Sequence, residues 1–214
     1  MLSPAKYRKS YLLVIPALVI LMTLGLFPAA GFSASPYTFN PTADTYVWAS
    51  LPNNNFGNDY NLYVQPNCYT YLKFDLSSIP ANEQVTGGTL YLYCNSGYPA
   101  FNFSVELHKL ADNSWIEGNG VTGVTWNNKP NPAYGSLIYT DDSGRQGEYR
   151  PFTVGAANIP RGVVSYALKL AYGQWAYYNS KNTTANPPYK PYLLVTTKKK
   201  PVGAGSNTLL LLDE

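Results

Sequence analysis

Few residues in this chain could do chemistry, and their spacing argues against catalysis. His108 is the sole histidine and stands in "VELHKL", where nothing nearby supplies a nucleophile or an orienting partner. Alternation places it opposite Val105 and Leu107, so it is expected on the surface. Asp141 and Asp142 are adjacent and point to opposite sides of an extended chain, which is wrong for paired carboxylates. Glu117 stands two residues after Trp115, an acid beside an aromatic of the kind some catalytic sites use. There is no glycine-rich phosphate loop, no Cys/His metal cluster and no nucleophile elbow. The catalytic set is therefore empty and the protein is expected not to be an enzyme.

Binding chemistry has better candidates. In "TLYLYC" Tyr91 and Tyr93 lie on the face opposite Leu90 and Leu92, so a sheet would present them outward. A tyrosine ring offers an apolar face with a polar tip, suited to stacking on a sugar and bonding its hydroxyls. The same arrangement is also ordinary strand chemistry. Trp115 and Trp126 are expected to fill the core or plug its ends. Asp44, Asn55 and Asp59 are oxygen donors around the glycine of "PNNNFGND", a donor type that calcium accepts; hydrogen bonds that shape a loop explain them equally well. No other cofactor is implied.

Short alternating runs must position these residues. They occur at 61–64, 70–76, 89–94, 103–110, 136–140, 164–172 and 192–197, separated by clusters of Asn, Gly, Pro, Ser and Asp. A helix competes only in "RGVVSYALKLAYGQWAYY", where Val164, Tyr166, Leu168, Leu170 and Tyr172 alternate and favour a strand. The pattern predicts one all-β antiparallel sandwich.

The first 34 residues have the layout of a signal peptide: Lys6, Arg8 and Lys9, then the apolar run from Tyr11 to Ala30, then "GFSAS". Cleavage near Ser33 or Ser35 gives a secreted or cell-surface protein. The alternative is an uncleaved anchor, because a membrane span needs about 20 residues, although Pro16, Gly25 and Pro28 weaken it. Membrane contact is expected only there. Three of the fifteen basic residues fall in this segment, leaving twelve against twelve acidic ones, so no nucleic-acid partner is expected. Cys68 and Cys94 follow it, and an oxidising compartment favours a disulfide between them; two buried free thiols are the alternative. Asn102 ("NFS") and Asn182 ("NTT") are glycosylation sequons. Residues 198–214 read as a flexible tail whose leucines, Leu209, Leu210, Leu211 and Leu212, want a partner surface.

The ordered phrases "ADTYVWASLPNNNFGNDYNLYVQ", "YLKFDLSSIPANEQVTGGTLYLY", "SWIEGNGVTGVTWNNKP", "YALKLAYG" and "YKPYLLVTT" resemble the DNRLRE domain, carbohydrate-binding module family 96, over roughly residues 40–197. The resemblance implies a β-jelly roll, bounded here as 36–197, with secretion and a non-catalytic role. It also implies that Trp115 and Glu117 belong to a structural "W-x-E" phrase. One departure is "YYNSKNTTANPPYKP", where only Ser180 and Lys181 partly match the serine-and-arginine-rich segment usual before the last strand. The expected function is a carbohydrate-binding or adhesive surface module with a polysaccharide or glycan as partner. The alternative is a subunit of an extracellular filament or coat that binds copies of itself by strand addition, donating "NTLLLL" or "SPYTFN".

Overall fold

Leu90, Leu92 and Cys94 are buried while Tyr91 and Tyr93 between them are half-buried, and this period of two governs most strands. The computed structural model describes residues 35–98, 102–131 and 133–200. Within them run eleven strands: β1 (Ser35–Phe39), β2 (Ala43–Trp48), β3 (Asn61–Val64), β4 (Cys68–Asp75), β5 (Glu83–Tyr98), β6 (Ser104–Lys109), β7 (Ser136–Asp141), β8 (Glu148–Gly155), β9 (Val163–Tyr172), β10 (Trp175–Asn179) and β11 (Tyr192–Lys199).

They form two antiparallel sheets packed as a sandwich. One has the order β2-β4-β9-β6-β7. The other is organised by the sixteen-residue β5, which takes β8 on one edge and β11 and β10 end to end on the other. β1 then pairs with β11, and β3 with β10. From β1 to β6 the chain changes sheet at every step, compatible with the expected jelly roll. The inner faces meet in one core that includes Leu62, Leu72, Phe74, Leu90, Leu92, Phe152, Tyr166, Leu168 and Leu193.

The two outer faces have different fates. That of the β4 sheet is roofed by the connection after β6: Leu110, Trp115 and Val124 pack on Ala43, Val47, Tyr71 and Ala167. The roof is pinned by hydrogen bonds from Trp115 Nε1 to Ser165 Oγ at 3.0 Å and from Tyr71 Oη to the Ala133 carbonyl at 2.7 Å. Trp126 lies partly buried against the same cluster, so both tryptophans pack as expected. The outer face of the β5 sheet keeps its rings half-exposed, which makes it the open surface of the sandwich.

The roof corrects the expectation for His108. It is 5% exposed, because Gly135 and Tyr134 cover it; Nδ1 lies 2.9 Å from the Gly135 carbonyl and Nε2 2.9 Å from Glu106. The disulfide expectation is also overturned, since Cys68 and Cys94 are both buried free thiols. Alternation gave each an inward face but not its sheet. Cys68 opens β4 opposite Trp48, whereas Cys94 lies in β5 opposite Glu148 and Tyr178. Each Sγ turns to a nearby carbonyl, Tyr63 at 3.4 Å and Ser96 at 3.5 Å. The signal segment and Leu209 to Leu212 lie outside the described residues. The other candidate donor, "SPYTFN", supplies β1 and pairs with β11 of its own chain.

Candidate functional site

Tyr91 and Tyr93 do face outward from β5, and each is stacked on a second tyrosine. Tyr91 lies on Tyr192 of β11 at 4.8 Å between ring centroids and 16° between planes; Tyr93 lies on Tyr189 at 4.4 Å and 14°. Tyr149 of β8 stands edge-on to Tyr91, Tyr93, Tyr189 and Tyr192, at 5.4 to 6.4 Å. The pairings Tyr91–Tyr192 and Tyr93–Tyr149 come from sheet register, so the backbone fixes where these rings meet. Tyr189 comes from the loop between β10 and β11. Asn179 Nδ2 donates to the Tyr189 carbonyl at 3.1 Å, and Tyr149 Oη donates to the Lys190 carbonyl at 3.1 Å.

Such an arrangement offers ring faces with hydroxyls around them. Burial, together with the neighbouring phenols, raises the pKa of Tyr149 and Tyr192, so both remain neutral. A sugar's C–H face could lie on these rings while their edges reach its hydroxyls. A model for carbohydrate-binding module family 96 matches residues 35–197. The chain belongs to this family. Membership implies a carbohydrate-binding module, the class expected from the sequence motifs. No curated protein matches the chain.

Several polar phrases of this family-96 module build its frame. Asn55, a calcium candidate, latches two loops. Its Nδ2 donates to the carbonyls of Glu117 (2.7 Å) and Val124 (2.8 Å), and its Oδ1 accepts from the N–H groups of Gly57 (3.2 Å) and Gly120 (2.8 Å). Gly57 is needed at this crossing, because a Cβ there would sit 2.6 Å from the Glu117 carbonyl oxygen. Asp44 lies nearby at 1% exposure; its Oδ2 accepts from Lys181 N at 2.6 Å, while its Oδ1 is buried without a hydrogen-bond partner. Glu117 Oε1 accepts from Asp44 N at 3.0 Å and pairs with Lys181 Nζ at 3.0 Å. Asp59 accepts from Tyr46 Oη at 2.7 Å. The calcium candidates thus hold protein groups, with an ammonium beside them, and among the described residues no group of three or more His, Cys, Asp or Glu could hold a metal ion.

Ser180 and Lys181, the partial match to the family's usual segment, dock on this frame: Ser180 Oγ donates to the Asp59 carbonyl at 2.6 Å. Asn182 donates its amide to the Gly57 carbonyl at 2.8 Å, whereas Asn102 is exposed. Asp141 and Asp142 diverge as expected, the first buried against Arg150 and the second exposed and bonded to Ser104 Oγ at 2.5 Å.

Tyr149, Tyr189 and Tyr192 escaped the sequence reading. Alternation in "YLLVTT" marks Tyr192 as facing opposite Leu193, a usable signal. Tyr149 lies in a strand disguised by Arg150 and Pro151, and Tyr189 lies in a loop, where no periodicity applies.

Proposed function

We propose that this chain is a non-catalytic, secreted or cell-surface module that holds polysaccharide on the outer face of its β5 sheet. The observation that carries the reading is the pair of ring stacks, Tyr91 on Tyr192 and Tyr93 on Tyr189, closed edge-on by Tyr149. Family membership supports the ligand class, and the layout of residues 6–35 supports export, so that a polysaccharide-holding face would act as an adhesive surface outside the cell. A hollow of about 350 Å³ between Lys109–Asp112 and Pro130–Asn131 competes in size, but none of its lining residues is aromatic and it offers no stacking surface.

Electrophoresis of the native protein through gels containing soluble polysaccharides tests the reading. Retardation by at least one polysaccharide is expected, and Y91A/Y93A should weaken it about tenfold or more, the loss of roughly 1.5 kcal/mol of ring contact. Equal retardation of the wild type and the double variant would remove these rings from the site.

A further inference from the structure

A second series of rings continues the same face. Tyr98 stacks on Trp175 (6.1 Å, 19°), Trp175 on Tyr177 (4.4 Å, 20°), Tyr177 meets Tyr63 edge-on (4.2 Å), Tyr63 meets Tyr46 (4.8 Å), and Tyr46 stacks on Phe56 (4.2 Å, 12°). Register places Trp175 opposite Tyr98, and Tyr177 opposite both Ser96 and Tyr63. Trp175 and Tyr177 face outward, because the alternate positions Ala176 and Tyr178 are buried. With Trp48 and Gln65, the rings of Tyr46, Tyr63 and Tyr177 line a cleft of about 220 Å³. The fold consumes only the inner end of this series, where Tyr46 is 6% exposed and bonded to Asp59; Tyr98 is 49% exposed, and Trp175, Tyr177 and Tyr63 are half-exposed.

Between the two ring sets lies a polar seam. Asn95 Nδ2 donates to the Oδ1 atoms of Asn61 at 2.8 Å and Asn179 at 2.6 Å. Tyr93 is five residues from Tyr98 on β5 and three from Ser96, the register partner of Tyr177, so the sets are separated by roughly 10–15 Å along the strand direction. A single sugar unit cannot touch both, and a disaccharide cannot cover both. A polymer can, and two modest contacts on one chain then reinforce each other.

Charge narrows the ligand further. The outward strand positions around the first set are Thr89 on β5, Pro151 and Thr153 on β8, and Leu194 and Thr196 on β11. None is ionisable, and among the described strand positions of that face the first charge is Lys198 at its far end. At the margin, Arg145 is drawn to Glu148 at 3.8 Å, and the loop carries Lys190 after Tyr189. A uronate or sulfate laid along the strand positions of these rings would lose water and gain no cation there, Lys190 and Arg145 standing only at the margin.

We infer that the two ring sets form one track for an extended, uncharged polysaccharide, each set holding different sugar units of the same chain. This rests on the carbohydrate-binding reading above and adds the length and charge class of the ligand.

The full chain, Y91A/Y93A, W175A/Y177A and Ser96→Arg are compared by affinity electrophoresis and calorimetry, after their melting temperatures are matched. The probes are a soluble β-glucan, a soluble xylan, polygalacturonate and alginate, each at low and high salt, and disaccharides of the neutral polymers. Ser96→Arg removes no ring and sets a bulky cation in the middle of the track, so it serves if W175A/Y177A does not fold. The expected result is salt-insensitive binding of a neutral polymer, weakened about ten- to a hundredfold by either double variant, with Ser96→Arg blocking the polymer while weak disaccharide binding survives. Loss with Y91A/Y93A but wild-type binding by W175A/Y177A and Ser96→Arg would overturn the track and leave the carbohydrate-binding reading intact. Binding only to the uronate polymers, abolished by salt, would overturn the ligand class alone. Dimers in light scattering that W175A/Y177A dissolves would assign the second set to a copy of this chain and overturn the track. Binding to none of the polymers would overturn both readings.

Discussion

Arg150 grips Asp141 through two parallel hydrogen bonds, Nε to Oδ2 at 2.8 Å and Nη2 to Oδ1 at 2.6 Å, with both side chains buried. The pair joins β8 of one sheet to β7 of the other, so it clamps an edge of the sandwich. Arg150 Nη1 also donates to Glu148 at 2.9 Å, and Asp141 accepts from Ser143 N and Oγ. Removing one partner strands a buried charge. D141A should cost about 3–5 kcal/mol in urea unfolding, while replacing both partners in D141A/R150M should recover most of that loss. A loss below about 1 kcal/mol for D141A would mean the edge holds without the clamp.

Asn55 joins segments more than sixty residues apart in sequence, using both amide hydrogens and its carbonyl oxygen. Asn55→Ala leaves two carbonyls and two N–H groups without their partner. The expected cost is about 2–4 kcal/mol, at one to three per unsatisfied group with partial relief by water. Asn55→Asp should be damaging too, because a carboxylate cannot donate to the Glu117 and Val124 carbonyls. Hydrogen exchange should then quicken at Gly120 and Val124 while the β5 core stays protected.

The strand pattern was legible because the inner and outer residues of this sandwich differ so plainly. "TLYLYC" gave both the inward leucines and the outward tyrosines. Four strands were missed where local chemistry hides the period. β8 carries Arg150 inward and Pro151 outward, β10 has five residues directly after the Gly173 turn, and β1 and β2 are short runs flanking prolines. What could not be read was tertiary cover. Nothing local to "VELHKL" says that Gly135, twenty-seven residues later, roofs His108, and nothing in "PNNNFGND" says that Asn55 serves a distant loop as well as its own.

Both thiols should be silent in the native protein. Burial pushes the Cys94 thiol up to about 12 and the Cys68 thiol higher still, so almost no thiolate exists at neutral pH. Ellman's reagent should find no fast thiol in the folded chain and two after denaturation without reductant. Two free thiols agree with the two Sγ atoms that face separate carbonyls. A denatured chain with none would instead require the disulfide.

Asp44 should make the fold less stable as pH rises through the weakly acidic range. Desolvation by burial lifts its carboxyl from the ordinary 3.8 to about 7; the Lys181 N–H opposes the rise and the Glu117 carboxylate adds to it. Between about pH 4 and pH 7 the folded chain therefore holds a proton that the unfolded chain has released. Stability is then greatest at the acidic end of that window and falls as pH climbs, by up to about 4 kcal/mol across the whole window. Asp75 works in the opposite sense, because hydrogen bonds from the Ser77 hydroxyl and N–H hold its carboxyl below the usual range, so its contribution fades in stronger acid. Urea midpoints measured from pH 4.5 to 8, as a rough span around that window, should decline for the wild type. Asp44→Asn keeps the Lys181 N–H acceptor without a titrating group, so its midpoints should lie on a flatter line and exceed the wild type's at the alkaline end. Parallel slopes for the two proteins would place the proton elsewhere.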